Sequence, residues 1–262
     1  MAVTRPGHTV MAARAAGPTP ENDWRARQLH VLPLLEGASS VLDVGCGEGR
    51  TLYLLAAPGR LVVGVDISAA YLHKAGEADR SLDLVQGDAK QLPLADVAFE
   101  TVLAAEVLEH IPNWQEALGE LLRVARLRAV VTVPYREWLK IFRCPRCHTR
   151  MPLYGHLHSF SPDSFVPWQG RGRLQVTTIG APVGWGAYRR KALTWFCTGG
   201  QTEESGQLCS GCGALVSPGL RWQRAADRLW RLIRHEPEWI LAVWDLDADP
   251  SLPAGRARDE QQ

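Results

Sequence analysis

The chain has 262 residues, a formal net charge of +1 and 46% hydrophobic residues. That length supports one large α/β domain or two small ones around a sizeable core. The near-neutral charge gives no reason to expect nucleic acid or a membrane as partner, and no apolar run approaches the ~18 residues of a membrane span.

Residues 1–22 carry Arg5 and Arg14 among Gly, Pro and Thr, without the apolar run of a signal peptide. They read as a disordered lead in a cytoplasmic protein. Asp23 to Glu36 has helical spacing (Trp24, Leu29, Leu32, Leu35), and Pro33 should end or bend that helix. Ser40–Val44 is an apolar run of buried-strand length, followed by a glycine turn and a helix over Thr51–Ala56. Leu61 to Asp66 is a second strand, and a helix starts near Ser68 with Tyr71 and Leu72. Leu82–Gln86, Phe99–Ala104 and Ala129–Val133 are further strands, with a helix over Trp114–Arg126. Ser161-Pro162-Asp163-Ser164 reads as a helix start. Leu174–Ile179 alternates as a strand, Leu220–His235 is an amphipathic helix, and Trp239–Trp244 is a last strand. Strands alternating with helices predict a mostly parallel sheet covered on both faces. The unit is expected to span 23–246, with 247–262 a flexible tail.

The chemistry concentrates at Asp43-Val44-Gly45-Cys46-Gly47-Glu48-Gly49. A strand, a glycine turn and a helix N-terminus make a nucleotide-binding corner, because glycines let a ligand approach the main chain. The dinucleotide fingerprint is G-x-G-x-x-G. Here the pattern is G-x-G-x-G, position 50 is Arg, and Asp43 lies two residues before the first glycine. A carboxylate there repels a pyrophosphate and suits a ligand with positive charge. Ligands of open α/β sheets bind at strand carboxyl ends, which here carry Asp66, Asp88 and Glu106. Taken singly, Asp66 and Asp88 also fit plain caps of helices or turns.

The glycine corner, Asp66, Gly87-Asp88-Ala89 and Glu106-Val107-Leu108-Glu109-His110 stand in order over residues 41–112. Together they resemble the class I S-adenosylmethionine (SAM)-dependent methyltransferases, type 11/12-like. That resemblance implies a Rossmann-like α/β fold with seven strands, the last antiparallel. It implies a donor site of Asp43, Gly45, Cys46, Gly47, Asp66, Ile67, Asp88, Ala89 and Glu106. Asp66 would receive the ribose hydroxyls, and Asp88 with the next amide would read adenine. The segment His156-Leu157-His158-Ser159-Phe160-Ser161-Pro162 is similar to one that borders the acceptor pocket in these enzymes.

Cys144-Pro145-Arg146-Cys147 and Cys209-Ser210-Gly211-Cys212 are two C-x-x-C knuckles. Two such turns complete a tetrahedral metal site, and 61 residues (148 to 208) separate them. The expectation is a split zinc ribbon near 140–158 and 195–218, with Cys197, His148, His156 and His158 as alternative ligands. Reduced thiols and a redox pair are the competing readings. Cys46 reads as a small buried filler.

Methyl transfer to oxygen or to a protonated amine requires loss of a proton. The candidate bases are His156 first, then His110 and His158. No Asn/Asp-Pro-Pro-Tyr/Phe follows the fourth strand and no Pro-Cys pair occurs there, which sets aside nucleobase chemistry. A small-molecule acceptor remains, and ten tryptophans, including Trp168, Trp185 and Trp195, suit a flat one or simply the core. Two other readings stay open. One is an RNA- or protein-directed enzyme using the knuckle and the face Arg221, Arg224, Arg228, Arg231 as reader; the other is a SAM-binding protein without catalysis.

Overall fold

The computed structural model describes residues 20–137, 139, 141–152, 155–180, 207–208, 215–216 and 239–246. Its elements are α1 (Pro20–Leu35), β1 (Ser40–Val44), α2 (Arg50–Leu55), β2 (Leu61–Asp66), α3 (Ala69–Ala78), β3 (Asp83–Gln86), β4 (Phe99–Ala105), α4 (Trp114–Val124) and β5 (Ala125–Pro134). Then come β6 (Ile141–Arg143), β7 (Arg150–Pro152), a 3-10 helix Pro162–Arg171, β8 (Arg173–Ile179), β9 (Gln207–Leu208), β10 (Leu215–Val216) and β11 (Trp239–Asp245). The expected helix 220–235, Cys197, Cys209, Cys212, Trp185, Trp195, residues 1–19 of the lead and the tail lie outside the described residues, whereas residues 20–22, expected in the disordered lead, belong to α1.

Seven strands form one sheet in the order β3-β2-β1-β4-β5-β11-β8. Strands β1 to β5 pair in parallel. β11 enters between β5 and β8 and runs antiparallel to both, so the expected antiparallel last strand is present. The order reverses between β1 and β4, which places the ligand crevice above their carboxyl ends.

Side-chain alternation divides the core into two faces. Val41, Leu103, Val130, Leu241 and Val243 pack with Val31 and Leu35 of α1. Leu42, Val102, Val131, Ile240 and Trp244 pack with Leu118 and Leu121 of α4 and with Phe160 and Phe165. Trp244 is fully buried, and its indole N–H donates to the Trp168 carbonyl at 3.2 Å. No helix among the described residues is long and apolar enough to cross a membrane.

Three boundaries differ from expectation. α4 stops at Val124 rather than Arg126, because Ala125 already pairs with Phe99 of β4; strand pairing outweighs local helix propensity. Pro33 sits inside α1, which continues to Leu35. The carbonyl that loses its N–H partner belongs to Leu29, a residue 75% exposed, so water can replace the bond. The hairpin of β6 and β7 was not anticipated, since its strands have three residues each. The helix start at Ser161 is present as a 3-10 turn, in which the Ser161 N–H donates to Ser164 Oγ at 3.1 Å.

Candidate active site

β1 delivers the chain into the glycine turn. Gly45, Gly47 and Gly49 have φ of 75°, 54° and 78°, a region that glycine enters without a Cβ penalty. At Gly45 the need is double, because a Cβ would lie 2.4 Å from Val107 Cγ2. At Gly47 a Cβ would meet nothing within 4 Å, so the backbone faces open space. The turn is fastened to β2. The Gly45 and Cys46 amides donate to the Val65 carbonyl at 2.7 and 3.1 Å, and the Gly47 amide donates to Asp66 Oδ2 at 2.9 Å. The Ser68 amide donates to Asp66 Oδ1 at 2.8 Å. A carboxylate held by one amide on each oxygen keeps further lone pairs for hydroxyl donors.

Asp43, Gly45, Cys46 and Gly47 line one cleft of about 370 Å³, with Arg27, Tyr71 and Ala105 on its other walls. Asp43 is 3% exposed. Burial first, and the Asp66 charge second, push its carboxyl up to about 7, against the pull of Arg27. Cys46 packs where a Cβ on Gly64 would stand, 2.7 Å from its sulfur. Burial, then Asp43 and Asp66, push that thiol up to about 12, so it is an inert filler. Asp88 and Ala89 follow β3 outside the lining of this cleft. Asp88 accepts from the Lys90 amide at 2.9 Å, and the Gly87 amide donates to the Asp66 carbonyl at 3.1 Å. Ile67 is exposed, and its carbonyl accepts from Gln86 Nε2 at 3.2 Å.

A second group gathers just past the end of β4. Glu106 has φ of 60°, its amide donates to the Thr132 carbonyl at 2.9 Å, and its carboxylate lies 3.3 Å from Arg27 Nη1. Arg27 in turn lies 5.8 Å from the Trp239 ring centre. Burial raises the Glu106 pKa, while Arg27 opposes the rise. Glu109 is fully buried, and burial followed by the Glu106 charge raises its pKa as well. The rings of His110 and His156 meet edge to face at 4.8 Å, and His156 Nδ1 pairs with the Glu137 carboxylate. One edge of His110 reaches solvent, yet desolvation, and then His156, hold its pKa below the ordinary value. His158 is turned elsewhere: its Nε2 lies 2.9 and 3.0 Å from the carbonyls of Ile111 and Pro112, which makes that nitrogen a donor to backbone.

The model of a family described as a methyltransferase domain matches residues 42–132. Demethylmenaquinone methyltransferase of Corynebacterium glutamicum is 34% identical over 164 residues, covering 58% of this chain and 70% of that protein. The chain belongs to the class I SAM-dependent methyltransferases. Demethylmenaquinone methyltransferase of a Roseiflexus species is also 34% identical, over 156 residues. That match takes in 58% of this chain and 60% of the relative, so the chain spans less than two thirds of it. A SAM-dependent methyltransferase from Archaeoglobus fulgidus shares the fold, with a TM-score of 0.52 and 19% identity over 86% of this chain and 93% of that one.

Within this methyltransferase, sequence reasoning passed over Arg27, Glu109 and Glu137. Glu109 was visible as the second acid of Glu106-Val107-Leu108-Glu109-His110, but only the fold shows that it is buried. Arg27 and Glu137 carry no local signal. Their partners Glu106 and His156 stand 79 and 19 residues away, by subtraction of residue numbers.

Proposed function

We propose that this methyltransferase moves the methyl group of SAM to an oxygen or nitrogen of a small-molecule acceptor. The observation that carries the reading is the open backbone at Gly47 between the buried Asp43 and the amide-held Asp66. Asp66 accepts the ribose hydroxyls, with Ile67 beside it, and Asp88 with the Ala89 amide reads adenine. Asp43, Gly45, Cys46 and Gly47 hold the cationic amino-acid end, with Glu106 just past Ala105 and outside the cleft's lining, paired to the lining Arg27. The small-molecule class is supported by two relatives named for demethylmenaquinone.

The acceptor lone pair attacks the methyl carbon in line, and the C–S electron pair returns to sulfur, leaving a neutral thioether. Holding the two reactants in line in a dry site contributes roughly 7–11 kcal/mol. The acceptor proton leaves through the histidine pair. His156 is the first candidate base, since the Glu137 carboxylate on Nδ1 orients the ring and stabilises the imidazolium formed when it takes the proton.

A structural zinc held by Cys144, Cys147, Cys209 and Cys212 belongs to the same proposal. Cys144–Cys147 fills the tip of the β6–β7 hairpin, where the Arg146 amide donates to Cys144 Sγ at 3.4 Å and His148 has φ of 60°. The second pair falls between β9 and β10, which are antiparallel to each other. Two C-x-x-C pairs together supply the four thiolates of a closed tetrahedral site.

Calorimetric titration with SAM, S-adenosylhomocysteine and NADH tests the donor, with zinc quantified in the same sample. Saturable binding of both sulfur nucleotides, lost in Asp66→Ala at unchanged folding, is the expected result, together with about one zinc per chain. Binding of NADH alone would overturn the donor assignment, and zinc-free active protein would overturn the knuckle.

A further inference from the structure

Glu109 is the most unusual side chain of the described residues. It has 0% exposure, and both carboxylate oxygens lack any partner beyond the residue's own backbone. A buried carboxylate without donors is costly, so a fold that keeps one has a use for it. The Leu157 amide donates to the Glu109 carbonyl at 2.7 Å, which draws the segment carrying His156 against this residue. One ligand atom each from Glu109, His110 and His156 lies within 4.8 Å of the others.

We propose that Glu109, His110 and His156 bind a first-row divalent cation on the acceptor side of the SAM cleft. Two imidazoles and one carboxylate are a donor set for Mn²⁺, Fe²⁺, Co²⁺ or Zn²⁺ that leaves positions open. Ligand atoms around an ion at about 2.1 Å stand about 3–4 Å apart, so the present spread closes with side-chain shifts below about 1 Å. The surroundings match what such ligands need. Glu137 holds His156 Nδ1 and the Gly155 backbone bonds the His110 ring, the kind of outer partner that orients a metal-binding imidazole. Glu106, with its Oε1 also buried and unpartnered, adds negative charge next to the site.

This inference rests on the methyltransferase reading and changes one part of it, since His156 becomes a ligand in place of the base. A cation there lowers the pKa of an acceptor hydroxyl, whose proton passes to solvent. The oxygen lone pair then bonds to the methyl carbon as the C–S pair returns to sulfur. The acceptor class narrows accordingly to molecules offering oxygen atoms to a metal, such as neighbouring hydroxyls.

The test is a Mn²⁺ titration of the full chain, zinc retained, followed by loss of the free-ion paramagnetic resonance signal. Mn²⁺ prefers oxygen and imidazole to thiolate, which separates this site from the cysteines. One Mn²⁺ per chain is expected, weakened at least about tenfold in Glu109→Gln, His156→Ala and Glu137→Gln and unchanged in Cys144→Ser. Equal binding by wild type and Glu109→Gln, or no binding by wild type, overturns the proposal. SAM calorimetry on the same samples keeps the two readings apart. SAM binding without Mn²⁺ sinks the metal and leaves His156 as base, while Mn²⁺ binding without SAM supports the metal and removes the donor.

Discussion

Asp43→Asn should make the protein more stable and less able to bind its donor, with a pH dependence that identifies the cause. Asp43 is buried with its carboxyl displaced from an ordinary value of 3.8 to about 7. Between those values the unfolded chain has released a proton that the folded chain retains, so stability falls as pH rises. The slope approaches about 1.4 kcal/mol per pH unit, and from pH 4 to 7 the loss accumulates to about 4 kcal/mol. Asn has the same shape and no charge to bury. Its advantage should therefore be about 1 kcal/mol or less at pH 4.5 and reach about 2–4 kcal/mol at pH 8, roughly 5–15 °C in Tm for a chain of this size. Thermal melts of both proteins from pH 4.5 to 8.5 measure it. SAM binding to the wild type should tighten up to about tenfold per unit as pH rises towards 7 and then level off, because the cationic ligand selects the ionised form. A Tm difference that stays constant across this range would refute the assignment of the cost to Asp43.

Gly64→Ala places a methyl 2.6 Å from Leu52 Cδ1 and 2.7 Å from Cys46 Sγ; overpacking of this kind costs about 1–3 kcal/mol. Adding Cys46→Ala should recover part of the melting temperature, and no recovery would mean that Leu52 alone carries the clash. At pH 8 Cys46 should be alkylated about 1,000-fold more slowly than an ordinary thiol near 8.5, given a value of about 12; mass spectrometry after iodoacetamide reads this, and Asp43→Asn should raise the rate. Arg123 ties α4 to the segment before β4, donating to the Leu94 carbonyl at 2.9 Å and to Asp96 and Glu120 at 2.6–2.7 Å. Arg123→Ala should lower stability by about 1–2 kcal/mol in urea denaturation, whereas breaking the exposed Lys90–Asp88 pair should change it by less than about 1 kcal/mol.

What could be read in advance was local. A β-branched run, glycines at alternate positions and an acid at each strand end lie within a few residues of one another, and they forecast the corner at Gly45–Gly49 and the strand ends at Asp66 and Glu106. What could not be read depends on residues far apart. Nothing near Arg27 announces that α1 will lay it against Glu106 and Trp239. Nothing near Glu137 announces His156. Similarly, α4 ends at Val124 because β4 offers Ala125 a pairing partner, a competition that helical spacing through Arg126 does not reveal. The carboxyl of Glu109 was in plain view, but burial is a property of the fold.

The position of β11 has a consequence for synthesis. Among the described residues β8 pairs with no strand of the sheet other than β11, and β5 has only β4 until β11 inserts on its far side. The ribosome must therefore add the 59 residues from 180 to 238, and then β11 itself, before either strand is satisfied. At about 5–20 residues per second that interval lasts about 3–13 s. During it Val131 and Val133, buried in the finished sheet, belong to an open edge able to pair with any passing strand. The Arg128–Asp245 ion pair at 2.8 Å joins β5 to β11 at the last paired position, so the sheet closes only once β11 has been made.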